Sequence, residues 1–430
     1  MDFELTEDHK IIRETVRKFA EREIAPGIRE RDAKEEFDPS LLQKMAEAEL
    51  LGICLPQKYG GAGMDYISLG IACEELERVD TAARVIMSVH VGLNSLALLQ
   101  WGTEEQKEKY LAQQTKGKQV AAFGLTEPGA GSDVIAIQTT AKKDGKHYIL
   151  NGEKTWISLA DIADNHLIFA YTDKSKKRQV AATKRSYRSG EQTENSSQEE
   201  KLLRCNSVKH NGISAFIVEK SFEGVTSSTL HGKLGVRAGN TGSIVLNDVK
   251  VPEENLLGKE GEGFKIAMSA LDNGRFTVAS GSVGIIQACL EESVKYANTR
   301  KTFGKKIGEH QLVQSMIAKM SASADIGRLL YYRAGWMKNK GTRNTRETAL
   351  AKWINTEAAW RAADDAVQIH GAYGYSNEFP LERYLRNSRG AVIYEGSKEI
   401  QQIIQAEYAL GYRKDKELRC TLPKWPFDND

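Results

Sequence analysis

The stretch FGLTEPGAGSD, residues 123–133, decides how the rest of the chain is read. An apolar approach, Ala121 to Phe123, runs through Leu125 and Thr126 into a Pro-Gly pair at 128 and 129, a second glycine at 131, and then Ser132 and Asp133. A strand that breaks into a tight turn reads this way. Glycine tolerates positive φ and lets backbone N–H groups approach a ligand, while Thr and Ser hydroxyls can bond ring heteroatoms or phosphate oxygens. The spacing matches neither the dinucleotide G-x-G-x-x-G nor the phosphate-binding G-x-x-x-x-G-K-[ST]. From residues alone the stretch stands between a ligand-facing turn and an ordinary surface turn.

Before this stretch the pattern is helical. Residues 6–24 set Ile11, Ile12, Val16, Phe19, Ala20 and Ile24 on one stripe, with Thr6 as a cap and Pro26 beyond the end. Asp38-Pro39 opens a second helix, which gives way near Gly52; further patterns cover about 66–78 and 82–100, and Thr103 with Gln106 makes a capping box for a fifth. Residues 1–120 therefore read as an all-α domain. After the stretch the period shortens to two. Runs at 120–125, 147–151, 154–158, 167–172, 213–219, 225–230 and 244–251 are rich in β-branched residues and bounded by Gly, Asn or Asp, which makes 121–258 a β domain. From 259 to 413 long helical runs return near 261–298, 310–340, 345–371 and 397–410, as in a four-helix bundle, and 414–430 form a tail. The segment 174–211 is polar, charged in both signs and poor in large aliphatics; it reads as a disordered excursion from a hairpin, because it buries too little to offset its ordering entropy.

A chain of 430 residues has room for two or three domains and a large core. A formal net charge of +2 supplies no long-range field toward nucleic acid or anionic lipid. Cys54, Cys73, Cys205, Cys289 and Cys420 form no C-x-x-C pair, which argues against a zinc site or a disulfide framework. The acidic start MDFELTEDHK resembles neither a signal peptide nor an Arg-rich transit peptide, and no apolar run is read as approaching the roughly 20 residues of a membrane span. A cytoplasmic protein is expected, or one of the mitochondrial matrix if a presequence has been removed.

TEPGAGSD, together with NGEKTWIS at 151–158, RKTFG at 300–304, QIHGAYGY at 368–375 and YEGSKEIQ at 394–401, resembles the acyl-CoA dehydrogenase family in motif, order and separation, from Met1 to about Arg413. The resemblance implies an α+β multidomain fold: an N-terminal all-α domain, a middle β-barrel-like domain and a C-terminal four-helix bundle. FAD and an acyl thioester would lie between the last two. Phe123, Leu125, Thr126, Gly131 and Ser132 would lie against the flavin, with Ser132 also touching CoA, and Trp156, Ile157 and Ser158 would join them. A tryptophan in a strand pattern is otherwise core. Arg300, Thr302, Phe303 and Gln311, with Gln368, Ile369, His370 and Gly371, would reach the FAD of a neighbouring subunit, so that a homotetramer completes the site. Ser397 and Glu399 resemble the last FAD contacts. No metal is implied.

Glu395 sits behind Val392, Ile393 and Tyr394 and before Gly396. Desolvation there would raise its pKa above about 4.3 and strengthen it as a base toward carbon acids, although a glutamate before a glycine is also what a solvated loop looks like. In the family this glutamate is the catalytic base: it takes the α proton of a short-chain acyl-CoA while the β hydrogen leaves as hydride to flavin N5. The Glu395 N–H and a ribityl hydroxyl would polarise the thioester carbonyl. Electrons would pass to electron-transfer flavoprotein. Tyr394 and Gly396 flank the base at the substrate. Asp272 and Arg275 share a helical face, as an exposed ion pair would, and correspond to a segment near the CoA chain. Arg84, seven residues after Glu77, resembles the arginine that receives the distal carboxylate in glutaryl-CoA dehydrogenases; a plain surface arginine is the alternative. A flavin oxidase of the same fold, or a non-catalytic acyl-CoA-binding protein, would carry many of the same motifs.

Overall fold

The computed structural model describes residues 4–175, 211–415 and 420–427. Helix α1, Glu7–Phe19, starts where the Thr6 hydroxyl accepts the His9 N–H, and it runs on into a π turn, Ala20–Ile24. After α2, Ile28–Lys34, comes α3, Ser40–Glu47. Its start differs slightly from expectation: Asp38 accepts from both the N–H and the hydroxyl of Ser40, one residue before the capping position. Helix α4, Tyr66–Glu77, is capped by Asp65. Helix α5, Thr81–Ile86, continues through a π segment, Met87–Ser95, into α6, Leu96–Trp101, and α7, Glu104–Gln114, opens with the Thr103/Gln106 capping box.

The run Thr81–Trp101 corrects one expectation. At 21 residues and a mean hydropathy of 1.5 it is long and apolar enough to cross a membrane, yet 94% of its most apolar window is buried. A helix apolar all round is a core helix. This one packs against α4, strand β1 (Ala121–Gly124) and the long helix α8 (Gly263–Thr299).

The sheet comprises β1, β2 (Thr140–Asp144), β3 (His147–Ser158), β4 (Asn165–Tyr171), β5 (Ile213–Glu219), β6 (Val225–Thr229), β7 (Thr241–Pro252) and β8 (Leu256–Leu257). Its order is β6-β7-β3-β2-β4-β5-β8, with β1 parallel beside β4. Strand β2 escaped the sequence pattern because TAKKD buries only Ala141. The runs at 147–151 and 154–158 are one strand, paired to β7 through two register shifts, Leu150/Gly152 and Lys154/Ile157. Strands β4 and β5 form the hairpin from which the polar insertion leaves, closed by Thr172 N–H on Gly212 O. Residues 176–210, on which the expectation of disorder falls, lie outside the described residues.

Beyond the sheet stand α8, α9 (Gln311–Asn339), α10 (Thr345–His370), α11 (Leu381–Ala391) and α12 (Lys398–Ala409). Helix α11 is an addition to the four long runs; LERYLRNSRGA offers few apolar residues, and it buries Arg383, Asn387 and Ser388 along with Leu381 and Tyr384. One apolar core joins the N-terminal helices, the sheet and α8, and a smaller one lies among α8, α9, α10 and α11.

Candidate active site

The chain leaves α11 and turns sharply before α12. Two successive residues of that turn are left-handed, Glu395 at φ 55° and Gly396 at φ 89°. For glutamate this is an uncommon backbone, held only where surrounding groups over-determine it. Here three buried side chains hold its carbonyls. Arg275 Nε donates to Glu395 O at 3.3 Å, and Lys352 Nζ and Gln401 Nε2 donate to Gly396 O at 2.8 and 2.9 Å. The Glu395 side chain is directed inward, and its Oε2 is buried with no hydrogen-bond partner among the described residues. It lies against Gly274 of α8: a Cβ there would meet Oε2, Cδ and, at 2.7 Å, Leu93 Cδ2. Burial drives the carboxyl up to about 7, although Arg84, Lys352 and Arg275 pull the other way.

Beneath Tyr394 lies Arg84, fully buried rather than on the surface. Its Nε and Nη2 bond Glu77 at 2.6 and 3.3 Å, Nη1 bonds Ser88 Oγ at 2.9 Å, and Nη2 also bonds the Tyr394 hydroxyl. Ser88 in turn meets Thr277 Oγ1 at 2.7 Å. Four of the five guanidinium N–H donors are thus committed within the chain. Gly281, seven residues after Gly274 and on the same face of α8, makes the room, since a Cβ there would strike Glu77 Oε2 and the Arg84 stem.

The 123–133 turn is built on a second buried pair. Lys154 Nζ donates to Glu127 Oε1 and Phe169 O, both at 2.7 Å, and to Leu125 O at 3.3 Å. Glu127 also accepts the N–H groups of Gln138 and Thr139 and the Thr139 hydroxyl. Burial would raise its pKa, but Lys154 and these donors hold it below the usual carboxylate range. Burial lowers Lys154 to about 8 despite its partner. Above this anchor, Phe123 and Leu125 are buried, Thr126 is half-buried, and Gly131 and Ser132 are exposed. Thr155 N–H bonds Thr126 O at 3.0 Å, which brings β3 against the turn. The next residue, Trp156, sits at the second register shift with φ 58° and 63% of its surface exposed, while Ile157 is buried and Ser158 half-buried. A tryptophan in a strand interior with left-handed backbone and an open indole is a structural outlier of the kind that marks a functional surface.

Consecutive residues of the π segment tie the two turns together. Leu93 is the neighbour of Gly274 at the carboxyl, and Asn94 Nδ2 donates to Ala122 O of β1 at 2.9 Å. π segments recur at functional sites.

The remaining singled-out residues lie as follows. Arg275 is buried under the 394–396 turn and pairs with Asp272 at 2.9 Å; Asp272 also accepts from Thr345, so the pair faces its own chain and is no loose surface bridge. Arg300 and Gln311 are exposed, Thr302 bonds His310, and Phe303 is 95% exposed at φ 50°. Gln368 and Gly371 are exposed, whereas Ile369 and His370 are packed inside the bundle, His370 stacking on Tyr296 at 4.1 Å. That segment therefore presents Gln368 and backbone outward. Ser397 is half-buried at the start of α12 and Glu399 is exposed. Glu127, Lys154, Lys352, Gln401 and Gly274 are site residues that the sequence pattern does not single out. Lys352 had a signal: it interrupts the buried stripe Ala349, Asn355, Ala359, Ala363 of α10 at helical spacing. Glu127 and Lys154 lay inside quoted motifs, but their pairing depends on a strand crossing.

Comparison with known proteins agrees over nearly the whole chain. Family models for the acyl-CoA dehydrogenase N-terminal, middle and C-terminal domains match residues 6–118, 122–188 and 261–410. A short-chain specific acyl-CoA dehydrogenase of Clostridium acetobutylicum is 39% identical over 94% of this chain and 98% of its own. A chain solved in work on the electron transferring flavoprotein of Acidaminococcus fermentans and flavin-based electron bifurcation is 41% identical, with TM-score 0.86, over 95% of this chain and all of that one. A glutaryl-coenzyme A dehydrogenase solved with glutaryl-CoA is 37% identical, with TM-score 0.87, over 97% and 98%. With matched models spanning all three regions and relatives of this identity end to end, the chain belongs to the acyl-CoA dehydrogenase family of flavoprotein oxidoreductases.

Proposed function

We propose that the chain introduces a double bond between C2 and C3 of a short acyl-CoA, with Glu395 as the base that takes the C2 proton. One observation carries this reading: the buried Oε2 of Glu395, unpartnered among the described residues and held inward by a left-handed backbone. A carboxyl raised to about 7 is a stronger base than an ordinary glutamate and is still about half ionised at neutral pH. Gly274 leaves the carboxyl its place, Leu93 packs beside it, and the Glu395 N–H is the donor assigned to the thioester oxygen. The Trp156 indole and the exposed Gly131-Ser132 edge fit a flat ring system, and FAD, when bound there, supplies the acceptor for the β hydrogen and its electrons. Phe303, Arg300, Gln311, Gln368 and Gly371, all exposed on a single chain, fit a cofactor surface completed by a second copy in a homotetramer. Electron-transfer flavoprotein is the acceptor in this reading. Glu395→Gln should purify with its flavin band intact and lose about 10²-fold or more in kcat; near-normal turnover would refute the assignment.

For the acyl group, an uncharged short chain is favoured because Glu77 balances Arg84 and four of its N–H donors are spent. A second reading, glutaryl-CoA, draws on the burial of that guanidinium directly under Tyr394, next to the base. Bleaching of the flavin band by butyryl-CoA, isobutyryl-CoA and glutaryl-CoA separates them: preference for glutaryl-CoA, abolished in Arg84→Ala, selects the second.

A further inference from the structure

We propose that Lys352 is a positioning residue for the base: its ammonium, donated to the Gly396 carbonyl, keeps the Glu395-Gly396 turn in the shape that directs the carboxyl inward, and supplies a buried positive charge within electrostatic reach of that carboxyl. The proposal rests on Glu395 being the base.

Lys352 is fully buried on α10, on a stripe otherwise made of Ala349, Asn355, Thr356 and Ala359. Its one hydrogen bond among the described residues is to Gly396 O at 2.8 Å, with no close ion pair. A buried ammonium with a single carbonyl partner is costly, and such groups persist where they serve a site. The carbonyl it holds belongs to the residue after the base. The other donor to that carbonyl, Gln401 Nε2, is also fully buried. Around Lys352 stand Glu395 from the turn, Arg275 from α8, Arg84 from α5 and Glu399 from α12. Around Glu395 stand Arg84, Lys352, Arg275 and, from α4, Glu77. Arg84 is balanced by Glu77 and Arg275 by Asp272, which leaves Lys352 as the cation of this set with no carboxylate bonded to it among the described residues. Burial brings its amine down to about 7 and drives the Glu395 carboxyl up, while each of the two favours the charged form of the other.

The test compares holoenzymes carrying Lys352→Met, Lys352→Arg and Gln401→Leu, with Glu395→Gln as the control for the base itself. Lys352→Met should keep its flavin, lose about tenfold in kcat at pH 7, and show the acid limb of its kcat profile displaced upward by about one pH unit, because the carboxyl loses a nearby positive charge. Lys352→Arg should bring the limb back toward the wild-type position. Gln401→Leu, which removes a donor but no charge, should lower kcat and leave the limb in place; it also serves if Lys352→Met does not fold. A wild-type limb in Lys352→Met, an equal displacement in Lys352→Arg, or an equal displacement in Gln401→Leu would each overturn the proposal. Full activity of Glu395→Gln would instead overturn the reading of the base, whatever Lys352 does.

Discussion

Among the described residues a glutamate and a buried lysine stand together under the 123–133 turn and again at the 394–396 turn, and the two neighbourhoods are wired oppositely. Under the 123–133 turn, Glu127 and Lys154 bond each other at 2.7 Å, and Glu127 takes three further donors. At the 394–396 turn, Lys352 bonds a backbone carbonyl and leaves Glu395 Oε2 with no partner among the described residues. The first carboxyl lies below its usual range and the second rises to about 7. Both sites carry a left-handed residue, Trp156 at φ 58° and Glu395 at φ 55°. The difference teaches which polar groups a fold spends on itself. Glu127 has donors on both carboxylate oxygens and is bound into the fold, whereas a buried Glu395 Oε2 with no donor among the described residues costs stability.

The comparison breaks first at the scaffold pair. Lys154→Met leaves Glu127 buried without its cation, and removing one partner of such a pair costs about 3–5 kcal/mol. Urea denaturation should register that loss, and flavin content should fall with it because the turn loses its anchor. Adding Glu127→Gln should recover most of the stability, since the stranded charge then disappears. A single variant as stable as the wild type would mean that the pair holds nothing.

The second turn should respond with the opposite sign. Glu395 has a folded-state pKa near 7, above its ordinary 4.5, so the folded protein binds its proton more tightly than the unfolded chain does. The stability this contributes is present below about pH 4.5 and lost as pH rises through 7. Glu395→Gln carries no such proton. The variant should therefore match the wild type near pH 4.5 and exceed it above pH 7, by at most about 3 kcal/mol for a shift of this size. Lys352 subtracts from that gain, because its amine loses a countercharge in the variant. Chemical denaturation at pH 5 and pH 8.5 measures the difference, and a variant less stable than the wild type at pH 8.5 would show that the carboxylate is better satisfied than its surroundings indicate.

Much of the architecture was legible beforehand because periodicity and capping are local. Thr6 and the Thr103/Gln106 box sit at helix starts, and the long runs of α8, α9, α10 and α12 fall within a few residues of where the pattern ends. Strand β2 and helix α11 were not legible, since each buries few apolar residues and carries mostly polar ones. At the site, the turns themselves stood out in glycine and apolar spacing, and Glu77 stood out beside Arg84 at its seven-residue separation. Lys154 beneath Leu125 and Lys352 beneath Gly396 did not, because those contacts join residues 29 and 44 positions apart and exist only once strands and helices have crossed.

The smallest effect on stability is expected at Gly131, and it bears on what the first turn faces. A Cβ built there meets no atom of the described residues within 4 Å, and Gly131 is absent from the positive-φ residues, so nothing among the described residues forbids alanine. Gly131→Ala should shift folding stability by no more than about 0.5 kcal/mol, the usual range for an open surface position. Gly274→Ala, in α8 against the other turn, drives a methyl into the Glu395 carboxyl and Leu93, and should lower kcat while sparing flavin content. If the backbone at 131 lies against the cofactor, the added methyl weakens flavin binding with stability unchanged, and fluorescence titration of deflavinated protein separates the two quantities. Unaltered flavin affinity would take Gly131 off the cofactor surface and leave the exposed Trp156 to carry it.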